Sequence, residues 1–201
     1  GLVRSLTGKP STQQVTNEVL NGKINHFYRN EFPVLTGMAE LVFWYTTPTT
    51  ANVGEYPLDA TMIAPQEPLW LDDGNGYQRI WLTHDRLLFF ATYPPGMDSE
   101  TSVPAAALFD AGLLYLRPIP DDAYSLKIPI MGKPQELSAN DDAPIDPAWG
   151  YAIAVGTAMN IKVEDGDLEG AEALAPLLRS KLNMVVAKDI FANVEKRAYP
   201  S

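Results

Sequence analysis

Between Leu41 and Met131 turn chemistry cuts the chain into strand-length runs, and helical patterns lie on either side of that stretch. This order of patterns constrains the fold more than any single motif does. The runs are Leu41–Tyr45, Glu55–Ile63, Pro68–Leu71, Tyr77–Thr83, Leu87–Tyr93, Ala105–Phe109, Leu113–Arg117 and Tyr124–Met131. Asp73-Gly74-Asn75-Gly76, Pro94-Pro95-Gly96, Asp110-Ala111-Gly112 and Pro120-Asp121-Asp122 separate them. Glycine reaches positive φ without strain, proline presets its own φ, and aspartate bonds back to nearby amides, so each cluster reads as a turn. In the last run Tyr124, Leu126, Ile128 and Ile130 alternate with Ser125, Lys127, Pro129 and Met131, the period of a half-buried strand. Short strands at this spacing predict a small antiparallel sandwich or barrel.

The flanks are helical. Thr16 can cap a helix whose first turn holds Glu18, and Leu20, Ile24, Phe27, Tyr28 and Glu31 recur at three- and four-residue spacing until Phe32-Pro33 stops the run. Downstream, Asp146-Pro147 has the cap and first-turn proline of a helix start. Trp149, Ile153, Gly156, Met159 and Val163 make one stripe; Leu168, Ala171, Leu174, Leu178, Leu182 and Val185 make a second. Pro176 lies inside the second stripe and predicts a kink or restart, since an interior proline costs about 3 kcal/mol. From Ile190 onward there is no cap or period, and the tail reads as extended. The expectation is an α+β chain. An N-terminal helix (residues 1–40) and a C-terminal helical hairpin (141–190) form a bundle, a β-rich module (41–140) is inserted, and a tail (191–201) follows.

Composition excludes several chemistries. There is no cysteine, hence no disulfide, thiolate metal site or iron–sulfur cluster, and only His26 and His84 could offer imidazole. Fifteen basic residues against 25 acidic ones give a formal charge of −10, the wrong sign for gripping phosphate backbones. No apolar run approaches the ~18–20 residues of a bilayer span.

No residue stands out as catalytic. The nucleophile elbow, the phosphate-binding loop and the dinucleotide fingerprint are all missing. Asp72-Asp73-Gly74-Asn75-Gly76 has oxygen ligands for a hard cation but lacks the spacing and distant glutamate of a calcium loop, and a hairpin turn explains it. Glu164-Asp165-Gly166-Asp167 reads as one helix end and the next helix cap. Asp121-Asp122 and Asp141-Asp142 fall in proline-rich turns where aspartate is expected. The aromatics Trp44, Tyr45, Trp70, Tyr77, Trp81 and Tyr93 allow two readings. They could stack on sugar rings, but filling a small β core outweighs that, because aromatics are common in strands and bury large areas.

Several short motifs occur in a telling order: Arg4-Ser5-Leu6-Thr7-Gly8, the segment from Ile24 to Pro33, Gly54-Glu55-Tyr56-Pro57-Leu58, and the run from Leu114 to Leu126 with its Pro118-Ile119-Pro120-Asp121 turn. Pro134, Leu137 and Asp146-Pro147-Ala148-Trp149 follow. In this order the chain resembles the head-to-tail adaptor proteins of tailed bacteriophages. No single motif is specific, and Leu69–Val103 departs from the shorter members of that family.

The resemblance implies a structural virion protein, not an enzyme, with no cofactor. It would form a dodecameric ring under the portal, extend the DNA channel and offer the tail an attachment surface. Implied partners are further copies of the chain, the portal protein and a tail or nozzle protein. Double-stranded DNA passes without specific binding, and no membrane is involved. The location is the neck of the virion, after assembly in the host cytoplasm. An acidic wall suits such a channel, repelling phosphate within the roughly 10 Å that salt allows. Phe191, Val194, Tyr199 and Pro200 are the candidate portal contacts, in a tail that either folds on binding or simply frays. Hairpin-tip residues Asp72, Asp73, Asn75, Met97 and Asp98 are the candidate tail contacts. The alternative is an aromatic β domain that binds glycan or decorates a virion.

Overall fold

The computed structural model describes residues 1–12, 14–94, 101–138 and 144–198, with side chains described through residue 188. The chain is α+β and divides into two compact units, Gly1–Leu41 with Lys133–Ser201, and Val42–Gly132.

The first unit is helical. Helix α1 (Leu2–Thr7) ends at Gly8, in the left-handed conformation. Its buried Arg4 donates to the Ser11 carbonyl at 3.0 Å and to Asn17 Oδ1 at 2.7 Å, which ties the short helix to the start of α2 (Asn17–His26). Thr16 caps α2 by accepting the Val19 N–H at 3.3 Å. The expected stop at Phe32-Pro33 does not occur. Phe27–Glu31 widen into a π turn, the Phe32 N–H reaches back to the Phe27 carbonyl, and α3 (Phe32–Thr36) continues to Gly37. Proline has no N–H to give, and the shifted bonding accommodates it in the first turn of α3.

The return segment after Gly132 has no regular structure yet is held in place. Asn25 exchanges two 2.9 Å bonds with the Leu137 backbone, and Arg29 Nε donates to the Pro134 carbonyl at 3.1 Å. Asp146 caps the 3-10 turn Pro147–Trp149, which leads into α5 (Gly150–Glu164). Most of α5 is buried, and it touches α1, α2 and α6 (Leu168–Ala198). Phe27, Tyr28, Phe32 and Trp149 build the aromatic part of this core, with Phe32 and Trp149 ring centroids 5.2 Å apart. Gly156 lies directly under the Phe27 ring, where a Cβ would come within 2.0 Å. One expectation changes along α6: the backbone through Ala198 is helical instead of extended. Pro176 sits inside this one continuous helix, so of the expected kink or restart there is no restart.

The second unit is one mixed sheet in the order β1-β8-β4-β5-β6-β7-β2, with β3 also on β8. Its strands are β1 (Val42–Pro48), β2 (Glu55–Pro57), β3 (Met62–Pro65), β4 (Leu69–Asp72), β5 (Tyr77–Thr83), β6 (Ala106–Asp110), β7 (Leu113–Arg117) and β8 (Ser125–Gly132). The expected strand Leu87–Tyr93 is instead helix α4 (Arg86–Thr92), started by Asp85, which accepts the Leu88 N–H at 3.0 Å. With a helix in that connection, β6 lies parallel to β5, Trp81 opposite Ala106, so the module is not purely antiparallel. Its core is aliphatic: Leu69, Leu71, Ile80, Leu114, Leu116, Leu126, Ile128 and Ile130 are fully buried.

Candidate functional site

Trp44, Tyr77 and Trp81 do not fill that core, whereas Tyr45, Tyr56, Phe109 and Tyr124 pack against it. Strand register brings Thr46, Lys127, Trp70 and Arg79 side by side across β1, β8, β4 and β5. Side chains alternate faces, so residues two away, Trp44, Asp72, Tyr77 and Trp81, share that outer face. Trp44 is 53% exposed, Tyr77 61% and Trp81 63%. The expectation that these aromatics fill the β core is therefore corrected for Trp44, Tyr77 and Trp81, and holds for Tyr45, which packs against it. Leu69 and Leu71 flank Trp70, and Ile80 and Leu82 flank Trp81; the aliphatic neighbours take the inward positions and turn the indoles out. That alternation was readable. Lys127, which sequence reasoning passed over, stands on the outward phase of β8, whose inward residues include Leu126 and Ile128.

Trp44, Trp70, Tyr77 and Lys127 line a cleft of about 310 Å³. The Lys127 ammonium lies 5.0 Å from the Trp44 ring centre, and the Arg79 guanidinium 4.2 Å from that of Trp81. Leaving such side chains in water forgoes on the order of 1.5–3 kcal/mol of burial each, so a contiguous group of them marks a surface that something covers. Residues Val42–Gly132 hold four basic and eleven acidic residues. Arg79 binds Glu67 at 2.9 Å, Arg86 binds Asp110 at 2.8 Å, and Arg117 is buried. Lys127 has no carboxylate partner among the described residues.

The acidic motifs close turns, cap a helix and pair with neighbouring side chains. Asp72 and Asp73 accept the N–H groups of Gly74 and Asn75 at 3.0 and 2.9 Å, closing the β4–β5 turn. The Tyr124 hydroxyl donates to Asp121 at 2.5 Å, and this bond, with the charges of Asp121, Asp122 and Asp73, pushes the phenol up to about 12. Asp167 caps α6 through the Gly170 N–H at 2.9 Å; a bond from Lys162 holds its carboxyl below the usual range. Among the described residues no group of His, Cys, Asp and Glu could hold a metal ion. His26 is exposed beside Glu31, and His84 meets the Phe109 ring edge-on. Met97, Asp98, Asp141, Asp142, Tyr199 and Pro200 lie outside the described residues, as do the side chains of Phe191 and Val194.

A family model for the SU10 adaptor protein matches residues 8–194. The chain belongs to that family. It is a phage head-to-tail adaptor family, so this adaptor is a structural component of a virion whose partners are portal and tail proteins. No curated protein matches the chain. No described helix is long and apolar enough to cross a membrane.

Proposed function

We propose that this adaptor assembles as a dodecameric ring beneath the portal, extends the DNA channel and presents the attachment surface for the tail. The family match over residues 8–194 carries the reading. The charge of −10 supports it, since an acidic wall lets the duplex pass without adhesion. Phe191 and Val194, on the last turns of α6, with Tyr199 and Pro200, which lie outside the described residues, are the portal contacts in this proposal. The turn residues Asp72, Asp73 and Asn75, with Met97 and Asp98, are the tail contacts. Negative-stain imaging of the protein with the portal from the same genome tests the reading: a ring capping one end of the portal is expected, and monomers that ignore the portal overturn it. Deleting Val194–Ser201 is expected to weaken attachment while leaving the fold intact. The exposure of Trp44, Tyr77 and Trp81 favours one alternative, a glycan-binding virion domain, for which sugars would perturb tryptophan fluorescence.

A further inference from the structure

The two ends of the sheet are built differently. At one end β2 spans three residues and finishes at Pro57, which has no N–H to offer; such an edge resists pairing. At the other end β1 runs seven residues, Val-Phe-Trp-Tyr-Thr-Thr-Pro, without a charge, and pairs only with β8 among the described residues. A long, uncharged edge is a template for another strand. Beside it, on the outer face, lies the cleft of Trp44, Trp70, Tyr77 and Lys127.

We infer that β1 accepts an extended segment of a partner protein as an added strand, with an acidic side chain of that segment meeting Lys127 over Trp44. Main-chain bonds to an edge strand give such a complex its affinity, and pockets for alternate side chains give it selectivity. The occupant follows from what the face lacks as well as what it holds. A sugar needs several hydroxyl partners, acceptors among them, and the cleft has one charged side chain, Lys127, with the Tyr77 hydroxyl as its one side-chain acceptor. Nucleic acid would meet Asp72, which pairs with Tyr77 at the end of the same face. A second copy fits poorly: β1 against β1 makes a closed two-fold pair that cannot build a ring, and β1 against the three-residue, proline-ended β2 offers few bonds. An acidic peptide fits, because Lys127 lacks a carboxylate in a unit otherwise rich in them.

The source of the segment, a portal or tail protein, rests on the adaptor reading. The test uses the full chain and short synthetic peptides tiled along the portal and tail proteins of the same genome, each acidic peptide paired with a copy in which Asn and Gln replace Asp and Glu. Binding is followed by tryptophan fluorescence and by amide hydrogen exchange. An acidic peptide is expected to bind, to protect β1 amides, and to lose about tenfold or more in affinity when its acids are neutralised or when Lys127 is changed (K127E). Trp44→Ala should weaken both peptide versions alike. Neutral copies binding as tightly, protection away from β1, or a response to sugars alone overturns the inference. So does a self-association that Trp44→Ala abolishes, which would make the face a contact between copies. A ring on the portal that takes no acidic peptide overturns this inference alone. Peptide binding by monomers that ignore the portal supports the edge site and overturns the ring.

Discussion

Tyr124 and Asp121 form the tightest side-chain pair on the acidic end of the sheet, and its chemistry predicts an alkaline limit. A phenol ordinarily ionises near 10.0; here donation to Asp121 and the charges of Asp121, Asp122 and Asp73 favour the protonated form and move ionisation to about 12. Because the folded value lies above the unfolded one, the contribution to stability is complete below pH 10.0 and disappears as pH rises through about 12. Alkaline titration followed by tyrosinate absorbance should show Tyr124 ionising late, and Asp121→Asn should return it toward 10.0. Packing sets a second limit at this scale. Ala at a helix interior normally gains about 1 kcal/mol over Gly, but at Gly156 the added Cβ would enter the Phe27 ring, which is buried and cannot retreat. Overpacking of that kind costs about 1–3 kcal/mol. Gly156→Ala should lower the denaturant midpoint, and the double change with Phe27→Leu should recover part of the loss.

Among the elements, α4 is the one whose existence hangs on its cap. It has seven residues, exposes Leu87 and Leu88, and buries Phe89 alone. Asp85→Ala removes the bond to the Leu88 N–H and should cost about 1 kcal/mol, with hydrogen exchange rising first at Leu88 and Phe89. The same helix shows where sequence reading stops. Leu87-Leu88-Phe89-Phe90 is a continuous apolar run with no period, and such a run is equally a strand or a helix. The cap decides, and an Asp after a strand reads first as a turn. Where a period or a cap-plus-proline pair exists, the reading holds: Tyr124–Met131 is β8 to within a residue, Thr16 caps α2, and Asp146 opens the turn into α5. The aromatic face was legible in part, since Leu-Trp-Leu and Ile-Trp-Leu each put the indole on the phase opposite two aliphatics. Composition argued the other way, because it counts aromatics without asking which phase they occupy. The open edge of β1 was not legible at all, for an edge is a property of strand order, which depends on pairings between residues such as Val42 and Met131 that are far apart in the chain.

At the scale of the molecule, the division at Val42 and Gly132 has an energetic meaning. Each unit has its own core, aliphatic in the sheet and mixed aromatic and aliphatic among the helices, so each should unfold as its own cooperative block. Residues 42–132 expressed alone are expected to fold, with hydrogen-exchange protection in β4, β5 and β8 matching that of the intact chain. A collapsed, unprotected fragment would mean that the helical unit is needed to hold the sheet together. The chain enters this unit on β1 and leaves it on β8, and those two strands lie antiparallel with Val42 opposite Met131. Entry and exit are therefore a single hydrogen-bonded pair apart. A gene segment encoding such a unit can be exchanged in one recombination event between the same two junctions, leaving the flanking helices in register, so the surface offered to a partner can change while the body that carries it is inherited intact.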